Sequence, residues 1–213
     1  MTDLHNLRKD YIQDTLSKSE VSEDPIAQFE KWMKETISSK IVVEPNAMTL
    51  ATATADGKPS ARVLLLKSFN KEGFVFYTNY ESRKAMELME NPNACIVFDW
   101  HVMERQVRIE GIVKKVSAEE SDNYFFSRPK GSQLGAWISP QSTFIEGRQE
   151  LDDRKAMIER QFEIEPISRP PHWGGFVLEP QTIEFWQGRQ NRLHDRIIYL
   201  KTDKEWIVRR LAP

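Results

Sequence analysis

The apolar positions of this chain follow two periods. Between residues 26 and 37 they fall at Ile26, Phe29, Trp32, Met33 and Ile37, spacings of three and four that share one helical face and predict packing on a core. Asp24 offers a side-chain cap and Pro25 a preset φ at the first helical position, so the helix starts there. From Ala47 the period becomes two. Residues 48–55, 60–68 and 74–79, separated by Asp56-Gly57-Lys58-Pro59 and by a turn across residues 70–73, read as three sequential antiparallel strands of a meander. Ser82 caps a short helix that ends before Pro92. Residues 94–100 and 106–116 are two more strands, the second alternating Val107 and Ile109 against Arg108 and Glu110. Residues 118–128 and 151–162 are helical by composition, and the stretch between them, with Gly131, Gly135, Pro140 and Gly147, reads as loop. A linker over 163–171 leads to strands at 175–187, 196–202 and 205–210. The pattern predicts a mainly β chain with flanking helices (α+β), its strands forming a closed or nearly closed antiparallel barrel. Residues 1–21 lack an apolar period and predict a flexible N-terminal arm on a single domain of residues 22–213.

Composition removes several function classes. With 213 residues, 39% of them hydrophobic and 29% charged, the chain is long enough for one substantial core and ordinary for a soluble protein. No run of about eighteen apolar residues is present, which argues against a membrane span. The polar, mixed-charge start lacks the apolar stretch of a secretory signal, and Cys95, the single cysteine, excludes an intramolecular disulfide, so cytoplasmic residence is expected. A net charge of −2 gives no support to a nucleic-acid partner. Any basic site must therefore be local, as it is around a small phosphorylated ligand.

Four groups of cationic, hydroxyl and aromatic residues lie far apart in sequence. Residues 184–196 hold Arg189, Arg192 and Arg196 with Trp186, His194 and Asp195 around a turn; planar guanidinium donors in such number suit an anion or an electron-rich ring, the alternative being an exposed basic hairpin. In the strand around residues 62–67, alternation sends Arg62 and Lys67 to opposite faces, so they serve different ligand groups unless Lys67 merely extends into water. Ser82-Arg83-Lys84 opens a helix directly after a strand, where free N–H groups attract phosphate and cations otherwise oppose the dipole. Tyr124 and Arg128, four apart on a helix, with Ser132 beyond Pro129, suit a phosphate monoester. There is no GxGxxG and no P-loop, and the histidines lack metal-ligand spacing, so no metal is implied.

Taken in order, Arg62-Val63-Leu64-Leu65-Leu66-Lys67, Tyr77-Thr78, Ser82-Arg83-Lys84, Glu104-Arg105-Gln106-Val107, Ser127-Arg128-Pro129, Gln141-Ser142, Trp173-Gly174-Gly175, Glu184-Phe185-Trp186-Gln187-Gly188, Arg192-Leu193-His194-Asp195-Arg196 and Arg210-Leu211-Ala212-Pro213 closely resemble the motifs of the pyridoxamine 5′-phosphate oxidase family, flavin enzymes that complete vitamin B6 synthesis and salvage. The resemblance runs from about Asp24 to Pro213.

It implies a Greek-key-like split β-barrel homodimer with FMN at the subunit interface. FMN would be held by Arg62, Val63, Leu64, Leu65, Leu66, Lys67, Tyr77, Thr78, Arg83, Lys84 and Gln106, with Gln141, Ser142, Trp186 and Arg196 from the partner subunit. Lys67, Tyr124, Arg128 and Ser132 would hold the substrate phosphate. Arg192, Leu193 and His194 would close over the pyridine ring, and Arg8, Lys9, Asp10 and Tyr11 would form a covering arm. The implied reaction oxidises pyridoxine or pyridoxamine 5′-phosphate to pyridoxal 5′-phosphate, with molecular oxygen leaving as hydrogen peroxide. Arg192 and His194 would be the catalytic residues. Arginine is a poor base, its pKa lying above about 12, so a positioning and charge-stabilising role is expected of Arg192. A non-catalytic FMN or pyridoxal phosphate carrier and a nicotinamide-dependent flavin reductase are the competing classes. A pure FMN binder needs no second phosphate pocket, so the complete set Lys67, Tyr124, Arg128, Ser132, Arg192 and His194 favours the enzyme, and bleaching with NADH but not with pyridoxine phosphate would mark the reductase.

Overall fold

A computed structural model describes residues 2–5, 7 and 10–213 of the chain; the expected contributions of Arg8 and Lys9 lie outside the described residues. Helix α1 (Pro25–Ser39) starts as the sequence predicts, with the Asp24 carboxylate accepting from the Ile26 N–H at 2.8 Å. Phe29, Trp32 and Met33 are buried, but Ile37 is 56% exposed, and the last buried position on the helix is Thr36.

Among the described residues nine strands form one antiparallel sheet: β1 (Ala47–Ala53), β2 (Pro59–Leu65), β3 (Ser68–Asn70), β4 (Gly73–Asn79), β5 (Asn93–Trp100), β6 (Arg105–Lys115), β7 (Trp173–Gln187), β8 (Asp195–Lys201) and β9 (Trp206–Leu211). The order is β2-β1-β5-β6-β7-β4-β3, with β8 on β7 and β9 on β8. The expected three-strand meander is therefore corrected. β1 and β2 make a hairpin, but the next long strand, β4, pairs with β7 at the far side of the sheet. The switch occurs at two residues, because the Leu66 N–H bonds to Asn46 O while the Lys67 N–H bonds to Val75 O. Strand β7 explains the curl. One edge pairs with β6 along its length, whereas the other is shared, its first half by β4 and its second by β8, so the barrel is split there.

Helix α1 fills the curl. Phe29 sits 4.9–5.0 Å, centroid to centroid, from Phe69, Phe74 and Phe98, and Trp32 lies 5.2 Å from Phe185, so one helix ties β3, β4, β5 and β7 together. Phe29, Trp32, Phe74, Phe98 and Phe185 are buried, each contributing on the order of 2 kcal/mol of hydrophobic stabilisation, and Phe69 is partly buried against them.

Helices α2 (Arg83–Glu90), α3 (Ala118–Ser127), α4 (Lys130–Ile138) and α5 (Arg148–Ile164) flank the sheet. Helix α4 replaces the expected loop. Its Gly131 and Gly135 have nothing within 4 Å of an added Cβ, so the glycines that suggested a loop carry no packing role. Ser82 occupies the cap position of α2 without capping it, its hydroxyl donating instead to Asn79 O at 2.7 Å.

The expected arm over residues 1–21 is held along its second half. The Gln13 N–H donates to Glu104 Oε2 at 3.0 Å, the Leu16 N–H to Asp195 Oδ2 at 3.1 Å, and Leu16 is buried in the core. Among the described residues no helix is long and apolar enough to cross a membrane.

Candidate active site

The break at Leu66-Lys67 opens a cleft between β2 and β4, with α2 and α4 on its sides. Two adjoining cavities lie in it. One, of about 430 Å³, is lined by Arg62, Val63, Leu64, Arg83, Lys84, Gln141 and Ser142; the other, of about 500 Å³, is lined by Leu64, Lys67, Tyr77, Thr78, Tyr124, Arg128, Ser132, Gln141 and Trp173 among others. Arg62 and Lys67 line different cavities, Arg62 from within β2 and Lys67 from just beyond its end, while Leu64 lines both. Leu65 lines neither, and Leu66 is buried in the core.

The first cavity is cationic and already organised. Lys84 is only 6% exposed, and its Nζ donates to Gln141 Oε1 at 3.1 Å and to Thr78 Oγ1 and Ser82 Oγ at 3.2 Å. Burial, with Arg62 nearby, pulls its ammonium down to a pKa of about 8. Arg62 donates to Thr52 Oγ1 at 2.6 Å and to Leu50 O at 3.2 Å, and also bonds Ser60. Sequence reasoning missed Glu87, a buried carboxylate one turn along α2 from Arg83. It pairs with Arg83 Nε at 2.8 Å and Arg62 Nη2 at 3.4 Å, and accepts from Ser60 and Thr52. Burial alone would raise its pKa, but the bonds from Ser60, Thr52 and Arg83 bring it down to about 2. A lone glutamate on an exposed-looking helix gives no sequence signal of this role.

The second cavity holds the expected phosphate set. Arg128 is not on the helix with Tyr124, since α3 stops at Ser127 and Arg128 is extended (φ −77, ψ 149), yet both line the cavity with Ser132 and Lys67. The Tyr77 and Tyr124 rings stack at 3.9 Å, and burial, aided by Glu120 and Tyr124, pushes the Tyr77 phenol up to about 12.

The remaining expected residues gather elsewhere. Gln106, Trp186 and Arg196 are cross-strand neighbours on β6, β7 and β8. Beyond Trp186, a turn with Asn191 and Arg192 in the left-handed region (φ 54 and 61) carries His194, whose ring lies 4.6 Å from Trp186 and whose Nδ1 accepts from the Arg189 N–H at 3.1 Å. Burial and Arg192 both lower the His194 pKa, favouring the neutral ring. Tyr11 packs edge-on against Trp186 and His194, and these residues line a third cavity of about 600 Å³ with Asp10, Arg189 and Arg192; Leu193 does not line it and is 69% exposed. Arg196 is held by Glu184 at 2.6 Å, a pairing that raises its pKa.

Among the described residues of one chain, none lines both the cleft and the third cavity. Within one chain the residues group as follows. Gln141 and Ser142 sit in the cleft beside Lys84, and Gln106 travels with Trp186 and Arg196.

A family model described as "Pyridoxamine 5′-phosphate oxidase" matches residues 33–163, and one described as "Pyridoxine 5′-phosphate oxidase C-terminal dimerisation region" matches residues 173–213. The chain belongs to the pyridoxamine 5′-phosphate oxidase family. Proteins named pyridoxine/pyridoxamine 5′-phosphate oxidase from Acaryochloris marina and Cupriavidus metallidurans are 53% and 52% identical to it, aligned over 100% of this chain and over 96% and 100% of their own lengths. Among solved structures, PhzG from Burkholderia lata, in complex with tetrahydrophenazine-1-carboxylic acid, superposes with a TM-score of 0.87 at 30% identity, covering 94% of this chain and 98% of that one. A pyridoxamine 5′-phosphate oxidase-related, FMN-binding protein from Nostoc punctiforme gives 0.71 at 20% identity, over 91% of this chain and 100% of that one, and supports the split-barrel fold of this family.

Proposed function

We propose that the chain is an FMN-dependent oxidase that converts pyridoxine 5′-phosphate or pyridoxamine 5′-phosphate to pyridoxal 5′-phosphate, and that its active site is completed by a second copy. The observation that carries this reading is the pair of adjoining cavities in the β2–β4 cleft, each with its own cations, as expected for a cofactor phosphate and a substrate phosphate. FMN fits the first. Arg62, Arg83 and Lys84 supply charge, Ser60, Gln141 and Ser142 supply polar groups, and all three cations line the cavity. When bound, FMN supplies the acceptor for two electrons from the substrate and returns them to oxygen, which leaves as hydrogen peroxide.

The protein's part is orientation. Lys67, Tyr124, Arg128 and Ser132 hold the substrate phosphate, and two anchored phosphates fix the planar rings relative to each other, which removes most of the orientational freedom from the reaction. The partner copy contributes Gln106, Trp186, Arg192, His194 and Arg196. Arg192 holds the substituent at C4′ through its planar fork. With Nδ1 of His194 accepting from Arg189, Nε2 carries the ring hydrogen and donates toward the substrate. Asp10 and Tyr11 cover the same group. The match of residues 173–213 to a dimerisation region supports the homodimer, and a single cysteine is compatible with cytoplasmic residence.

The test is anaerobic addition of pyridoxine 5′-phosphate to the flavin-loaded protein. Bleaching of the flavin with recovery in air is the expected outcome. A spectrum that stays yellow excludes the oxidase and favours a carrier.

A further inference from the structure

Arg128 is placed in an unusual way for a charged side chain. Its Nη1 is buried with no hydrogen-bond partner among the described residues, and its guanidinium carbon lies 4.5 Å from the centre of the Trp173 indole and 5.8 Å from the centre of the Phe125 ring. Burial lowers its pKa, so the charge is costly where it stands. What holds it there is a ring face, and tryptophan offers the strongest such face.

Trp173 is itself fixed. It is 7% exposed, opens β7 opposite Asn79 of β4, donates its N–H to Pro170 O at 3.0 Å and accepts from Arg169 on its own carbonyl at 2.6 Å. It is nearly parallel to both tyrosines of the cavity, 5.5 Å and 13° from Tyr77, 6.1 Å and 10° from Tyr124. The two glycines that follow make this possible. A Cβ on Gly175 would come within 2.7 Å of the Tyr77 ring and one on Gly174 within 2.1 Å of Tyr80 Oη, so only bare backbone lets Tyr77 lie this close to β7.

We propose that Trp173 is a positioning residue of the substrate-phosphate pocket, setting Arg128 from beneath and Tyr124 from the side before the ligand arrives. This rests on the reading of the second cavity as a phosphate pocket. Trp173 makes no hydrogen bond to the phosphate; it acts by holding the guanidinium of Arg128, a residue that lines the cavity, in the place from which it meets an incoming phosphate.

The experiment uses flavin-loaded wild type, Trp173→Phe and Trp173→Leu, and measures binding of pyridoxal 5′-phosphate and of unphosphorylated pyridoxal by titration, together with KM and kcat for pyridoxine 5′-phosphate. Trp173→Leu is expected to weaken pyridoxal 5′-phosphate about tenfold. Pyridoxal should change much less, and the kinetic loss should fall on KM more than on kcat. Trp173→Phe, which keeps a weaker ring face, should lie between, and that intermediate shift is the readout if the leucine variant does not fold. In an Arg128→Ala background, Trp173→Leu should add little, because the two residues act as one unit. Equal loss for both ligands, or full additivity with Arg128→Ala, overturns the proposal. If wild type itself binds pyridoxal and its phosphate equally well, it is the phosphate-pocket reading that fails.

Discussion

Arg62 and Glu87 face each other at 3.4 Å between β2 and α2, and the carboxylate also receives Arg83, Thr52 and Ser60. One buried acid therefore fixes both arginines that the cofactor phosphate is expected to meet. Replacing it with alanine leaves Arg62 beside an empty space and should destabilise the apoprotein by about 3 kcal/mol, the usual size for breaking a buried pair from one side. Glu87 is depressed to about 2 from an ordinary 4.5, so its contribution is complete above roughly pH 4.5 and is lost as the pH falls toward 2. The melting-temperature gap between wild type and Glu87→Gln should narrow over that window. A gap that stays constant would mean that charge is not what Glu87 contributes.

Lys84 gives the opposite pH signature on cofactor binding. Its pKa near 8 leaves the empty site partly uncharged at alkaline pH, and a bound phosphate dianion draws the proton back. FMN affinity should fall as the pH rises above 8, with proton uptake on binding between pH 8 and 9. Riboflavin, which has no phosphate, should show neither effect, nor should Lys84→Met with FMN. Flavin fluorescence quenching at pH 7 and 9.5 measures both ligands.

These two residues also mark where sequence reading succeeds and where it stops. Lys84 was legible because a cation at a helix start after a strand breaks the dipole rule, and Asp24-Pro25 was legible because capping chemistry is local. Glu87 was not, since its meaning comes from Thr52 and Ser60 on two other strands. The meander failed for the same reason: alternation finds strands, but only the long-range bond from Lys67 to Val75 reveals that the chain leaves β2 for another part of the sheet. Helix α4 was hidden by two glycines that cost helix stability without ending it. The family motifs name candidate site residues but not their neighbours within one chain: strand pairing puts Gln106 opposite Trp186, and a side-chain hydrogen bond puts Gln141 beside Lys84.

Arg192 and His194 are expected to differ in kind. Arg192→Lys retains charge and loses the planar fork, so kcat/KM should fall roughly 10- to 100-fold if the arginine positions the substrate. His194, lowered from 6.5 by burial and Arg192, is neutral at pH 7, and protonation would put a hydrogen on the Nδ1 that now accepts from Arg189. Activity should therefore be flat through neutral pH and decline only below the ordinary histidine value, with the acid limb absent in His194→Asn. An acid limb that survives this change assigns the titration to another group.

The separation of the cleft from the Trp186–His194 cavity in one chain leads to a test of the composite site. If each site takes its cleft from one copy and its Arg192 from the other, a Lys67→Ala chain and an Arg192→Ala chain are each inactive alone but complementary. In a mixed dimer, one site receives both intact halves and the other receives both defects. Random exchange after mild unfolding and refolding of an equal mixture makes about half the dimers mixed, so about a quarter of wild-type activity should return. Were both halves supplied by the same chain, every site in the mixture would carry one defect and no activity would reappear. The outcome depends only on which copy supplies which residue, so it separates a shared site from two independent ones even if neither substitution behaves ideally by itself.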